Sequence, residues 1–131
     1  MRPADLRPRV DLELLDRSLA WTRGALAGVR DDEAGRPTPC AGWTLVDLLV
    51  HMVDSLEVVT ELSLGRVALA GPPPTSHRPE VLADHLRVLG CVLLDGWLRD
   101  GGPGAVRLGD RRLEPDVALE VSALEVAVHG W

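Results

Sequence analysis

A chain of 131 residues, 46% hydrophobic and 26% charged, is long enough to bury one core without disulfide staples and has the composition of an ordinary globular domain. Its net charge is −6 and its 14 cationic residues, all Arg, are scattered along the chain. That excludes the basic footprint which phosphate-backbone binding requires, so nucleic acid is not an expected partner. Cys40 and Cys91 form no CxxC pair, which fits a reducing compartment. The N-terminus lacks the apolar stretch of a signal peptide, and no apolar run approaches the ~20 residues that span a bilayer. A cytoplasmic protein with no membrane partner is therefore expected.

Residues 1–9 are rich in Arg and Pro and read as a disordered lead-in, leaving 10–131 as a single domain. Leu12, Leu15, Leu19, Leu26 and Val29 recur at helical spacing and predict a first helix over about 10–30. The stretch 31–43 carries two Pro and two Gly and predicts a loop. Thr44 has the character of a helix N-cap, with Asp47 three residues on as the acid of a capping box. From there Leu45, Leu48, Leu49, Met52, Leu56, Val59 and Leu62 continue a second helix to about Gly65. Three successive prolines make 70–79 a linker. A third helix, about 79–99, carries Val81, Leu82, Leu86, Leu89, Leu93 and Trp97 and stops at the glycines from Gly101. Residues 106–113 suit a short hairpin or an extended crossing segment, and Pro115 suits the first turn of a last helix. Leu and Ala dominate the apolar content, with no Phe or Tyr, so the expected fold is all-α, a four-helix bundle with crossover connections.

The last helix is apolar nearly all round, through Val117, Leu119, Val121, Leu124, Val126 and Val128, and is expected to be buried. Against that background Glu125 and His129 stand one turn apart on one face, a stripe that Ser122 and Ala118 continue. A buried carboxylate and imidazole need compensation. A divalent cation is one form of it; a mutual hydrogen bond or a protonated pair is another. His51 poses the same question on the flank of the second helix's apolar stripe. Two imidazoles and a carboxylate on facing helices can form the open His₂Glu set of catalytic zinc sites, although an ExxxH pair also arises by chance and an isolated His is often structural. His77 lies in the proline loop and reads as exposed, and His85 falls on the polar side of the third helix. Cys40 precedes a helix N-terminus, a setting that can depress a thiol pKa, though packing as a small hydrophobe is the simpler account. Cys91 reads as core, and Trp43 and Trp97 as core anchors.

Three segments carry a resemblance to a known family. The run TPCAGWTLVDLLVHMV (38–53) resembles the T-P-C-x-G-W-T-x-x-D-L-L-x-H-L block of the DinB-like metal-binding proteins of actinobacteria. That group is named after the N-terminal domain of mycothiol-dependent maleylpyruvate isomerase. ALEVAVHGW (123–131) resembles the group's E-x-x-x-H-G-W-D segment, and 96–115 looks like the stretch ahead of its last ligand helix. The likeness runs from about 11 to 131. It implies a DinB-type bundle that holds one metal ion, usually zinc, and by position the ligands fall on His51, Glu125 and His129. It further implies a low-molecular-weight thiol, mycothiol, as co-substrate, and an electrophilic small molecule as substrate of an isomerase or S-transferase.

Members of the group read on past the position of Trp131, so the last helix is expected to be shortened, with His129 in its final turn. The competing expectation is a non-catalytic helical domain with a degenerate site that acts through self-association as a homodimer. No general base is assigned, since Asp47 caps its helix and Asp54 faces elsewhere.

Overall fold

The computed structural model describes residues 3–63, 66–67, 76–99, 106–108 and 111–130. In chain order it runs α1 (Pro3–Leu26), a 3₁₀ turn (Asp31–Glu33), α2 (Leu45–Ser63), β1 (Arg66–Val67), α3 (Pro79–Leu98), β2 (Val106–Leu108), β3 (Arg111–Leu113) and α4 (Pro115–Gly130). The fold is the expected four-helix bundle, and of the two readings of 106–113, hairpin or crossing segment, the structure has the antiparallel pair β2–β3. A third strand, β1, which periodicity did not disclose, joins it in parallel, with Arg66 opposite Arg107. The proline linker and the glycine stop fall largely outside the described residues.

The first helix departs from expectation at both ends. It begins at Pro3, so the stretch read as a disordered lead-in is helical from that residue. Pro at the first position costs nothing because its missing N–H would have been unpaired there anyway. The helix ends at Leu26 and not near residue 30. The next three N–H groups reach back to Arg23, Ala25 and Leu26 carbonyls in a tightening turn, which lets Val29 keep its apolar contact after the helix has stopped.

The principal helix packings are α1 with α4 and α2 with α3, closed by α2 with α4 and α1 with α3. Sequence neighbours α1 and α2 therefore sit across a diagonal, as do α3 and α4, which is the crossover topology. Each helix lays one stripe into the centre: Leu15 and Leu19 from α1, Leu49, Val53 and Leu56 from α2, Leu82, Leu86 and Leu93 from α3, Ala118 and Val126 from α4. At Gly90 helix α3 comes close to α1. A Cβ there would lie 3.2 Å from Leu19 Cδ2.

Three sequence readings are corrected by this packing. Helix α4 is not buried all round: Leu124 and Val128 are about as exposed as surface residues, and Val117 and Val121 are partly so. A helix packed chiefly on α1 and α2 keeps an outer face. Cys91 is exposed, because it follows Gly90 by one position and so steps off the stripe Leu86–Gly90–Leu93. Trp97 is a core anchor, but Trp43 is 37% exposed and stands at the bundle's edge.

The segment between α1 and α2 is tied at both ends. The Asp31 carboxylate accepts the Glu80 N–H at 2.9 Å and the Arg78 guanidinium at 2.7 Å, while the Asp31 N–H donates to the Glu80 carboxylate at 3.3 Å. Asp31 thus caps α3 from 49 residues away. Those donors hold its carboxyl below the usual range, the Glu80 amide first and Arg78 next.

Candidate metal centre

At the other end of that segment the capping box forms as expected. Asp47 N–H donates to Thr44 Oγ1 at 3.3 Å, and the Asp47 carboxylate accepts the Thr44 N–H at 2.9 Å and its hydroxyl at 2.8 Å. These bonds from Thr44 hold the Asp47 carboxyl below its ordinary range. Both bonds fall on Oδ2, so the Asp47 carboxylate is turned to the helix cap. Asp54 is exposed, in keeping with the same expectation.

His51 lies two turns along α2, half-buried, and its ring meets that of His129 from α4. The two Nε2 atoms are 3.1 Å apart and the ring centroids 4.4 Å, nearly perpendicular. Glu125, one turn before His129, places Oε2 3.3 Å from the same His129 Nε2. The stripe Ala118–Ser122–Glu125–His129 begins fully buried and emerges at the site: Ala118 and Ser122 have no exposed surface, while the His129 and Glu125 side chains are 19% and 37% exposed. Ser122 is reconciled to burial by donating its hydroxyl to the Ala118 carbonyl at 2.7 Å.

The three residues singled out from the sequence are therefore together. Their contacts run as a chain with His129 in the middle. Two nitrogens bound to one tetrahedral zinc at about 2.0–2.1 Å lie about 3.3 Å apart, so the His51–His129 and His129–Glu125 spacings match two edges of such a ligand set to within a few tenths of an ångström. Among the described residues no three His, Cys, Asp or Glu are gathered closely enough to hold an ion as they stand. The donors fit in kind and along two edges. Without an ion, the same geometry is satisfied by a proton: one Nε2 carries it and donates to the other, or His129 donates to Glu125.

Two neighbours were not read as site residues. Ser55, one turn on from His51, sets Oγ 3.4 Å from His51 Nε2; its i+4 spacing was the available signal. Trp43 lies edge-on to His51, centroids 5.0 Å apart at 62°. The other histidines lie elsewhere. His77 is exposed, and His85 faces Glu57 at 3.8 Å across α2 and α3. Cys40 is half-buried, with its backbone engaged in the turn before Trp43.

A DinB-type helical bundle with two imidazoles and a carboxylate converging between its second and last helices is the class these features define. The family model of the mycothiol maleylpyruvate isomerase N-terminal domain matches residues 15–131. The chain belongs to that family. It is also 33% identical over 107 residues to two uncharacterized proteins from two strains of Mycobacterium tuberculosis, an alignment covering 81% of this chain and 56% of each relative. The chain thus spans about half the length of the curated relatives it matches. No solved structure matches it. No helix among the described residues is long and apolar enough to cross a membrane.

Proposed function

We propose that this chain is a cytoplasmic metal-dependent domain that holds one divalent ion, zinc foremost, through His51, Glu125 and His129, and uses mycothiol in an isomerase or S-transferase reaction. The observation that carries the reading is the convergence of the two Nε2 atoms at 3.1 Å with the Glu125 carboxylate 3.3 Å from one of them. Family membership supplies the thiol. When bound, a divalent ion with an open position favours the deprotonated form of a thiol at neutral pH, as it does for water.

The chain's own residues arrange the rest. His51 and His129 present lone pairs to one point only when each carries its ring proton on Nδ1. Glu125 would contribute the negative charge that offsets a cation, from 3.3 Å beside His129 Nε2. The Ser55 hydroxyl, 3.4 Å from His51 Nε2, is placed to donate a hydrogen bond to an anionic atom beside the imidazoles. Addition of the thiolate sulfur to an electron-poor cis double bond forms one S–C bond and moves the π electrons onto the activating carbonyl. Rotation about the resulting single bond and expulsion of the thiolate return the trans alkene and the reagent.

Cobalt-substituted protein tests this reading. Addition of mycothiol is expected to produce a thiolate-to-cobalt charge-transfer absorption, absent in His51→Ala. Cobalt-loaded wild type that shows no such absorption at saturating thiol would remove the thiol from the proposal.

A second reading, self-association, is favoured by one observation. Val117, Val121, Leu124 and Val128 form an exposed apolar stripe on α4 at 4-3-4 spacing, the seam along which a second copy of the same helix packs. A dimer mass in analytical ultracentrifugation that Leu124→Glu converts to monomer is the expected result; a wild-type monomer across the micromolar range overturns it.

A further inference from the structure

The loop before α2 is built more tightly than a connection needs to be. Cys40, Ala41, Gly42 and Trp43 form a turn closed by the Trp43 N–H on the Cys40 carbonyl at 3.0 Å. Gly42 holds φ at +80°, the left-handed region that a β-turn of this kind demands at its third residue. Thr38 knots the turn from inside. Its Oγ1 accepts the Cys40 N–H at 3.2 Å and lies 3.0 Å from the Trp43 carbonyl, which also accepts the Thr38 N–H at 3.2 Å. The strand-like bridge Pro37–Thr44 follows. The first free N–H groups of α2 are then taken up by the same loop, Leu45 donating to Arg36 at 2.8 Å and Val46 to Ala34 at 3.1 Å. The helix beyond is fixed by the Thr44–Asp47 box.

Backbone this completely bonded presents its side chains in one direction. The side chain it delivers is Trp43, 37% exposed and so only partly placed by core packing, with its ring against the imidazole of His51. The ring fills one side of His51 while His129 fills another at 4.4 Å. Between the two, the imidazole has little freedom to turn its Nε2 away from the site.

We infer that Trp43 is a positioning residue: the knotted turn 38–44 exists to hold its indole against His51 and so to fix the imidazole in its site-facing rotamer. This rests on the reading of His51 as a ligand, but the order it predicts belongs to the protein itself and is present without an ion. Trp43 is not among the buried core residues, and the bonds of the helix cap run between Thr44 and Asp47 without its side chain.

The test is NMR of metal-free protein, with Trp43→Ala and Trp43→Phe beside wild type, followed by cobalt titration of each. In wild type, His51 is expected to show one rotamer and a ring-proton cross-relaxation peak to His129. In Trp43→Ala that peak is expected to weaken at least severalfold and the His51 couplings to average, with helicity unchanged; Trp43→Phe restores both. The cobalt dissociation constant is expected to rise roughly tenfold in Trp43→Ala and to recover in Trp43→Phe. A Trp43→Ala protein that keeps a single His51 rotamer and the His129 peak overturns the inference, whatever the metal result. If the rotamer effect appears while no variant, wild type included, binds cobalt, the positioning role stands and the metal reading is what fails.

Discussion

Protein purified without metal-affinity resin is expected to carry about one divalent ion per chain, and His129→Ala to carry essentially none. The size of the effect follows from ligand number. Three protein ligands are the minimum that catalytic zinc sites use, and even an outer partner of a ligand is worth about 10–100-fold in affinity. Loss of an imidazole from a three-donor set should therefore exceed about 100-fold, enough to empty the site during dialysis. His51→Ala should match it, and Glu125→Gln should fall between, since the amide keeps an oxygen donor but not the charge. Elemental analysis of the four proteins, with helicity measured alongside, reads the result. Because His51 and His129 lie 3.1 Å apart on different helices, a bound ion would also tie α2 to α4, and chelation should lower the melting temperature of wild type but not of His129→Ala. A metal-free, folded wild type would leave the pair as hydrogen-bonded imidazoles, or His129 donating its Nε2 proton to Glu125.

The second large effect concerns the frame that brings those helices together. Leu15 has no exposed surface and sits where α1 meets the rest of the bundle. Truncation to Ala removes buried methyl groups and leaves a cavity that the packed neighbours only partly fill, a cost of about 2–5 kcal/mol. For a domain of this size that is expected to lower the melting temperature by roughly 10 °C or more. Leu14, adjacent in sequence, is 50% exposed, and Leu14→Ala should cost under about 1 kcal/mol. Thermal melts of the two variants side by side separate burial from composition. Equal losses would mean that α1 does not pack by the Leu15–Leu19 face.

The contrast between these neighbours was legible in the chain, because Leu12, Leu15 and Leu19 share a 3.6-residue stripe and Leu14 stands off it. Helical spacing likewise located α2 and α3 to within a residue or two, and Thr44 with Asp47 marked the start of α2 before any fold was known. Glu125 and His129 were visible as polar groups in an apolar run, and their i,i+4 relation is a property of one helix alone. What the stripe did not disclose was its environment. The same periodicity that placed Cys91 among Val and Leu could not say that Gly90 points at Leu19 and turns Cys91 outward. Composition made α4 look buried on all sides, but only the number of helices available to cover it leaves Leu124 and Val128 exposed.

Local chemistry, then, determined the helices, the capping box, the family resemblance and the choice of three candidate donors, because each depends on spacings of a few residues within a segment. The tertiary structure decided that α1 packs on α4 rather than on its sequence neighbour, that β1 joins the hairpin, and that His51 meets His129 across 78 residues. It also moved Trp43 from the core to the rim of the site. These depend on which faces find each other once the core closes, a choice made by the sum of burial over the whole bundle and carried by no single segment.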